Sequence, residues 1–209
     1  MCGVTDLSPR RLSSVTGPTD DEIEAAYIGD LPIHDDIVQL VEYQTVWPEQ
    51  FQREARRIQQ ALGSRACSID HVGSTSVPGL AAKPIIDIAL SVADSSNEAE
   101  YVLDLEAAGY QLRMREPDWY QHRLFKGPEI NVNIHVFSRG CIEVVRMIAF
   151  RDRLRSNDDD RHLYMRTKRE LASRRWKYVQ HYANAKSEVI TAILSHDENR
   201  NATERPASA

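Results

Sequence analysis

The stretch that decides the fold runs His71-Val72-Gly73-Ser74-Thr75-Ser76-Val77-Pro78-Gly79-Leu80-Ala81-Ala82-Lys83-Pro84-Ile85-Ile86-Asp87-Ile88. Residues 68–72 read as a strand that runs into a loop carrying two glycines and a proline. Residues 84–92 form the clearest strand of the chain. Ile86, Ile88, Leu90 and Val92 alternate onto one face, and Ile85, Asp87, Ala89 and Ser91 onto the other. Thirteen residues after Ser74, a carboxylate therefore stands on the non-core face of a returning strand. Gly73 permits close backbone approach to a phosphate. The Ser74 hydroxyl and neighbouring N–H groups can bond phosphate oxygens, and Asp87 can hold a divalent metal that bridges them. The competing reading is an ordinary strand-to-loop turn beside a surface carboxylate.

Working outward, Trp47-Pro48 opens a helix that Gly63 stops, with Phe51, Ala55, Ile58 and Leu62 at helical spacing. A helix is expected over 97–108, then strands over 110–115 and 121–126. Residues 130–137 alternate cleanly, with Ile130, Val132, Ile134 and Val136 on one face and Asn131, Asn133, His135 and Phe137 on the other. The chain turns helical from 139 onward, with helices expected over 160–178 and 182–195. Strands mixed with helices, followed only by helices, predict an α+β fold: a mixed sheet with flanking helices and a helical C-terminal half. Residues 1–34 are expected to be a flexible tail, 35–196 the folded domain, and 197–209 a second tail.

The chain has 209 residues, 26 Lys plus Arg, 31 Asp plus Glu, and a net charge of −5. A mildly acidic chain has no global attraction to nucleic acid or anionic membranes. No stretch approaches the roughly 20 apolar residues that span a bilayer. The first residues lack the apolar core of a signal peptide, so a cytoplasmic location is expected. Cys2, Cys67 and Cys141 are too few and too scattered for a disulfide framework or a zinc site; Cys67 and Cys141 read as small buried side chains.

The 71–88 segment resembles the signature of the GrpB family, which belongs by fold to the polymerase-beta-like nucleotidyltransferases. The resemblance covers about residues 38–190. It is carried also by Tyr43 with Trp47-Pro48 and Phe51, by His122-Arg123, by Ile134-His135-Val136, by the run from Phe150 to Arg155, and by Tyr164 with Lys168 and Leu171. It implies a Gly-Ser turn that grips a nucleoside triphosphate, with acidic residues on adjacent strands binding Mg²⁺. Asp87 takes the place of the first carboxylate and is the expected metal ligand. The second place holds Ala89, and the neighbouring strand offers Asn133 and His135. Mg²⁺ is therefore expected only weakly and only with nucleotide.

The expected site combines Asp87 and His135 as catalytic groups with nucleotide contacts at Gly73, Ser74, Thr75, Lys83, Arg151 and Lys168. Arg151 and Arg155 lie four apart on one helical face, as do Tyr164 and Lys168; a solvated charged face is the plainer reading of both pairs. His71 either bonds the loop or touches ligand. The basic cluster Arg166, Lys168, Arg169, Arg174, Arg175 and Lys177 reads as a balanced charged face rather than an RNA surface. The expected partners are ATP or another NTP and a small molecule that is adenylylated or activated for amide formation, with no nucleic acid and no membrane. The alternatives are a nucleotide-binding protein with degraded catalysis and an RNA-end modifier.

Overall fold

The computed structural model describes residues 17–203, with side chains from 17 to 195. In chain order the elements are α1 (Asp20–Ala26), the two-residue strand β1 (Asp36–Ile37), α2 (Trp47–Leu62), β2 (Ser68–Val72), β3 (Ile86–Val92), α3 (Val102–Ala107), β4 (Gln111–Glu116), β5 (His122–Lys126), β6 (Val132–Ser138), α4 (Ile142–Ser156), α5 (Asp158–Ala172), the two-residue β7 (Arg175–Trp176), α6 (Val179–Asn184) and α7 (Ser187–Thr203). Strands β2 to β6 make one sheet in the order β2-β3-β6-β5-β4. The central pair β3–β6 is parallel and the other pairs are antiparallel. This is the α+β architecture that the order of the sequence patterns predicts.

The hydrophobic alternations set how the sheet is covered. Ile86, Ile88 and Leu90 of β3 and Val132, Ile134 and Val136 of β6 face Trp47, Ile58 and Leu62 of α2 in the main core. Each such buried side chain contributes about 1.5–3 kcal/mol. Pro48 sits in the first turn of α2, and Gly63 ends it at φ 57°. The opposite face of β3 is not left to solvent. Ala89 packs with Val72, Phe137 and Val144 of α4, and Ser91 is 5% exposed. Only the Asp87 end of that face stays partly open.

Several sequence expectations are corrected. The tail expected over 1–34 contains structure within the described residues. Thr19 and Glu22 form a reciprocal capping box that starts α1, Ile23 is buried, and the Tyr178 hydroxyl donates to Glu24 at 2.6 Å. Residues 1–16 and 204–209, just under half of each expected tail, lie outside the described residues. At the C-terminal boundary, α7 continues past 196 to Thr203. The helix expected over 160–178 stops at Ala172, because the Trp176 indole N–H donates to the Leu171 carbonyl at 2.8 Å while β7 pairs with β1. The helix expected over 182–195 is divided between α6 and α7. Cys67 is exposed rather than buried, and Cys141 is half-buried.

Candidate functional site

Strand β2 ends at Val72, which pairs with Asp87 across the antiparallel ladder. Gly73 then turns the chain at φ 68° into a single 3₁₀ turn, Ser74–Ser76. The turn is held from inside. Ser76 Oγ donates to the Gly73 carbonyl at 2.6 Å, and Thr75 Oγ1 donates to the Ile85 carbonyl at 2.9 Å. His71 Nε2 lies 3.1 Å from Thr75 Oγ1, and its ring stacks on Phe51 at 4.7 Å. Of the two readings of His71, the structure shows the one in which it bonds the loop. Burial foremost pushes its imidazole pKa down to about 4. Thr75 is 1% exposed. Its hydroxyl is engaged within the loop by the His71 ring and the Ile85 carbonyl.

Asp87 sits where β2, β3 and β6 converge. In the parallel β3–β6 register it pairs with Asn133, and Ala89 pairs with His135, so Asp87 and His135 share a face. Asn133 Nδ2 donates to Asp87 Oδ1 at 2.7 Å, and His135 Nε2 lies 3.5 Å from the same oxygen. Burial pushes the Asp87 carboxyl up, but His135, Asn133 and the Lys186 charge outweigh it and hold the pKa below the ordinary value. The Asp87 side chain remains 26% exposed. Behind His135 a polar string continues. Its Nδ1 lies 3.1 Å from His122 Nε2, and His122 Nδ1 lies 2.7 Å from Glu116 Oε2.

Four lysines feel the Asp87 charge: Lys83, Lys126, Lys168 and Lys186. Lys126 Nζ donates to Asn133 Oδ1 at 2.5 Å. Lys168, 2% exposed, donates to the Ala81 carbonyl at 2.6 Å, and Tyr164, one turn earlier on α5, faces Ser74. Lys186 stands 4.6 Å from the centre of the Tyr182 ring. Burial pushes the Lys83 and Lys186 ammonium groups down to about 8. Among the described residues neither has a hydrogen-bond or ion-pair partner. The structure thus gathers Gly73, Ser74, Asp87, His135, Lys83 and Lys168, and adds Lys126 and Lys186, which sequence reasoning missed. The register offered a signal for Lys126, since it pairs with Asn133. Lys186 lies in the junction between the six-residue α6 and α7, where no local pattern marks it.

Arg151 falls outside this group. Its Nη1 donates to the His71 carbonyl at 3.1 Å, and Asp152 takes its Nε and Nη2. Arg155 donates through Nε and Nη2 to the Ser76 carbonyl at 3.0 and 2.8 Å. Both arginines line a cavity of about 340 Å³ at the outer edge of β2, shared with Tyr43, Phe51, Asp70 and Pro78 but not with Asp87. They brace the turn from behind. Of the six residues in the basic cluster from α5 to just past β7, three are in ion pairs: Arg169 with Glu42, Arg174 with Glu170 and Lys177 with Asp20.

Residues 37–196 match the family model described as GrpB protein. The chain belongs to the GrpB family. This GrpB-family chain is 52% identical over 189 residues to the UPF0157 protein BH1888 of Halalkalibacterium halodurans, covering 90% of this chain and 97% of that one. It superposes on the crystal structure of the conserved protein GrpB from Enterococcus faecalis with a TM-score of 0.66 at 29% identity, covering 76% of this chain and 99% of that one. A 76-residue stretch, 35% of this chain, is 46% identical to part of the dephospho-CoA kinase of Mycolicibacterium paratuberculosis, covering 19% of that protein. No helix among the described residues is long and apolar enough to cross a membrane.

The donor set of the GrpB-family site does not fit the Mg²⁺ that the fold resemblance implies. Among the described residues no three His, Cys, Asp or Glu side chains come together in a metal-sized group. Hard divalent cations take about six or more oxygen ligands. Here one carboxylate is available, its Oδ1 is already bonded to Asn133, and the charge of four lysines acts on it. Ala89, in the second carboxylate's place, is fully buried among apolar side chains.

Proposed function

We infer that this chain is a nucleotidyltransferase-like enzyme. It binds a nucleoside triphosphate, with ATP the first candidate, against the Gly73-Ser74 turn and passes a nucleotidyl group to a small acceptor. The observation that carries the reading is the packing of an open Gly-Ser turn directly against a strand carboxylate whose charge is felt by four lysines. The turn's backbone and the Ser74 hydroxyl suit phosphate oxygens, and the lysines suit the charge of the departing pyrophosphate. In the transfer step an acceptor oxygen or nitrogen bonds to the α-phosphorus as the bond to the β-phosphate oxygen breaks. Asp87, oriented by Asn133 and His135, is the group placed to take the acceptor's proton. Similarity to part of a dephospho-CoA kinase is in keeping with nucleotide chemistry.

A second reading, nucleotide binding without turnover, is favoured by the apolar setting of Ala89. Pyrophosphate release from ATP, measured with a panel of small alcohols, amines and carboxylates, separates the two. The transferase reading expects release that Asp87→Asn abolishes while the circular dichroism spectrum is unchanged. ATP binding with no release for any acceptor would leave the second reading standing.

A further inference from the structure

A triphosphate brings several negative charges into whatever site holds it, and positive charge must meet them. In many phosphoryl-transfer sites divalent metal supplies it. Here the positive charge belongs to the chain. Lys83 and Lys186 keep free donors among the described residues, and Lys126 spends one donor on Asn133. Burial lowers the Lys83 ammonium first, and the charges of Lys126 and Lys186 add to it; among the described residues Asp87 is the carboxylate whose charge offsets all three. A divalent cation arriving at Asp87 would meet these ammonium groups, whereas a polyphosphate would be attracted by them.

We propose that the site at Gly73, Ser74 and Asp87 binds polyphosphate anions directly through Lys83, Lys126 and Lys186, with no divalent cation between protein and phosphate. Asp87 then acts on binding as the counter-charge that holds the lysines together in the empty site, and it opposes the incoming anion. The identity of the anion as a nucleotide rests on the transferase reading above; the metal-free mode does not.

The test is isothermal titration of the full chain with ATP and with inorganic tripolyphosphate, each in excess EDTA and in excess Mg²⁺. Both ligands are expected to bind in EDTA, and Mg²⁺ to weaken binding by about 3-fold or more by neutralising the ligand. Lys83→Gln and Lys186→Gln are each expected to weaken binding in EDTA by about 10-fold, with Lys186→Arg staying within about 3-fold of the parent. Asp87→Asn is expected to tighten binding in EDTA, the opposite sign from a metal ligand. Should one lysine variant fail to fold, the other and Asp87→Asn still decide. Binding of either ligand that is about 10-fold tighter with Mg²⁺, or that Asp87→Asn weakens, overturns the metal-free mode and leaves the nucleotide reading intact. Tripolyphosphate binding without ATP binding overturns the nucleotide reading and leaves the metal-free mode. No binding of either ligand in either condition overturns both.

Discussion

Gly73 lies so close to Asp87 that a methyl group on the glycine would stand 2.5 Å from Asp87 Oδ2 and 2.9 Å from its Cβ. The contact is backbone against the side chain on which the site is centred. At φ +68° the position also favours glycine on conformational grounds. Gly73→Ala should therefore destabilise the fold by about 1–3 kcal/mol, from a strained backbone and a displaced carboxylate. Urea unfolding checks the stability. Loss of ATP binding in the same variant, under conditions where it is fully folded, checks the site.

Ala89 occupies the place of a second carboxylate, and from sequence Ala89→Asp reads as a way to strengthen a metal site. The structure reverses that expectation. The side chain is fully buried against Val72, Phe137 and Val144. An aspartate there would be desolvated among apolar side chains, with His135 the nearest titratable neighbour in register, and should cost about 3 kcal/mol or more. Thermal unfolding should show the loss, and Mg²⁺ titration should show no gain in affinity over the parent.

Arg151 reads from sequence as a nucleotide ligand, whereas its guanidinium caps the His71 carbonyl at the free edge of β2. Arg151→Ala should lower stability by about 1–2 kcal/mol by leaving that carbonyl unpaired. ATP affinity, measured by titration, should change by less than about 3-fold, well short of the effect of losing a direct charged contact.

His71 and His122 both have imidazole pKa values pushed down to about 4, by burial first of all. The folded chain thus takes up these protons at lower pH than the unfolded chain, whose histidines titrate near 6.5. Stability attached to them is present above pH 6.5 and is lost as the pH falls toward 4, by up to about 3 kcal/mol for each ring. NMR titration of the ring protons should find both neutral at pH 5.5, and thermal midpoints should fall steadily from pH 6.5 to 4.5.

The parts of the fold that alternation encodes were legible from the residues alone. Ile86 to Val92 and the 130–137 run gave both central strands, because each buries one face against α2. The parity of Asp87 and His135 was legible for the same reason, although strand order, which brings them together, is a tertiary fact. The capping box of Thr19 and Glu22 was a readable signature of α1 that the polar composition around it obscured. The break after Ala172 carries no Gly or Pro and is set by Trp176 folding back onto Leu171, which no local pattern announces. Arg151 and Arg155 were correctly paired on one helical face. Whether that face meets ligand or carbonyl depends on where α4 docks, and periodicity does not contain that.

The parallel neighbours β3 and β6 are separated in the chain by α3 and the β4–β5 hairpin, and this has a kinetic consequence. Asp87 meets Asn133 across 46 residues, Lys168 reaches Ala81 across 87, and Arg155 braces Ser76 across 79. Each doubling of a closed loop adds only about 0.6 kcal/mol of entropy, so such contacts cost little at equilibrium. They are slow to find, because non-local pairings form after local ones. The β4–β5 hairpin and the isolated turns of α2 can form early, whereas the Asp87 site exists only after β6 has inserted beside β3 and α5 has docked. Under the proposed function, ligand binding at Asp87 would therefore report completed folding. In a refolding experiment its signal should rise with the slowest phase, behind the far-ultraviolet signal of the helices.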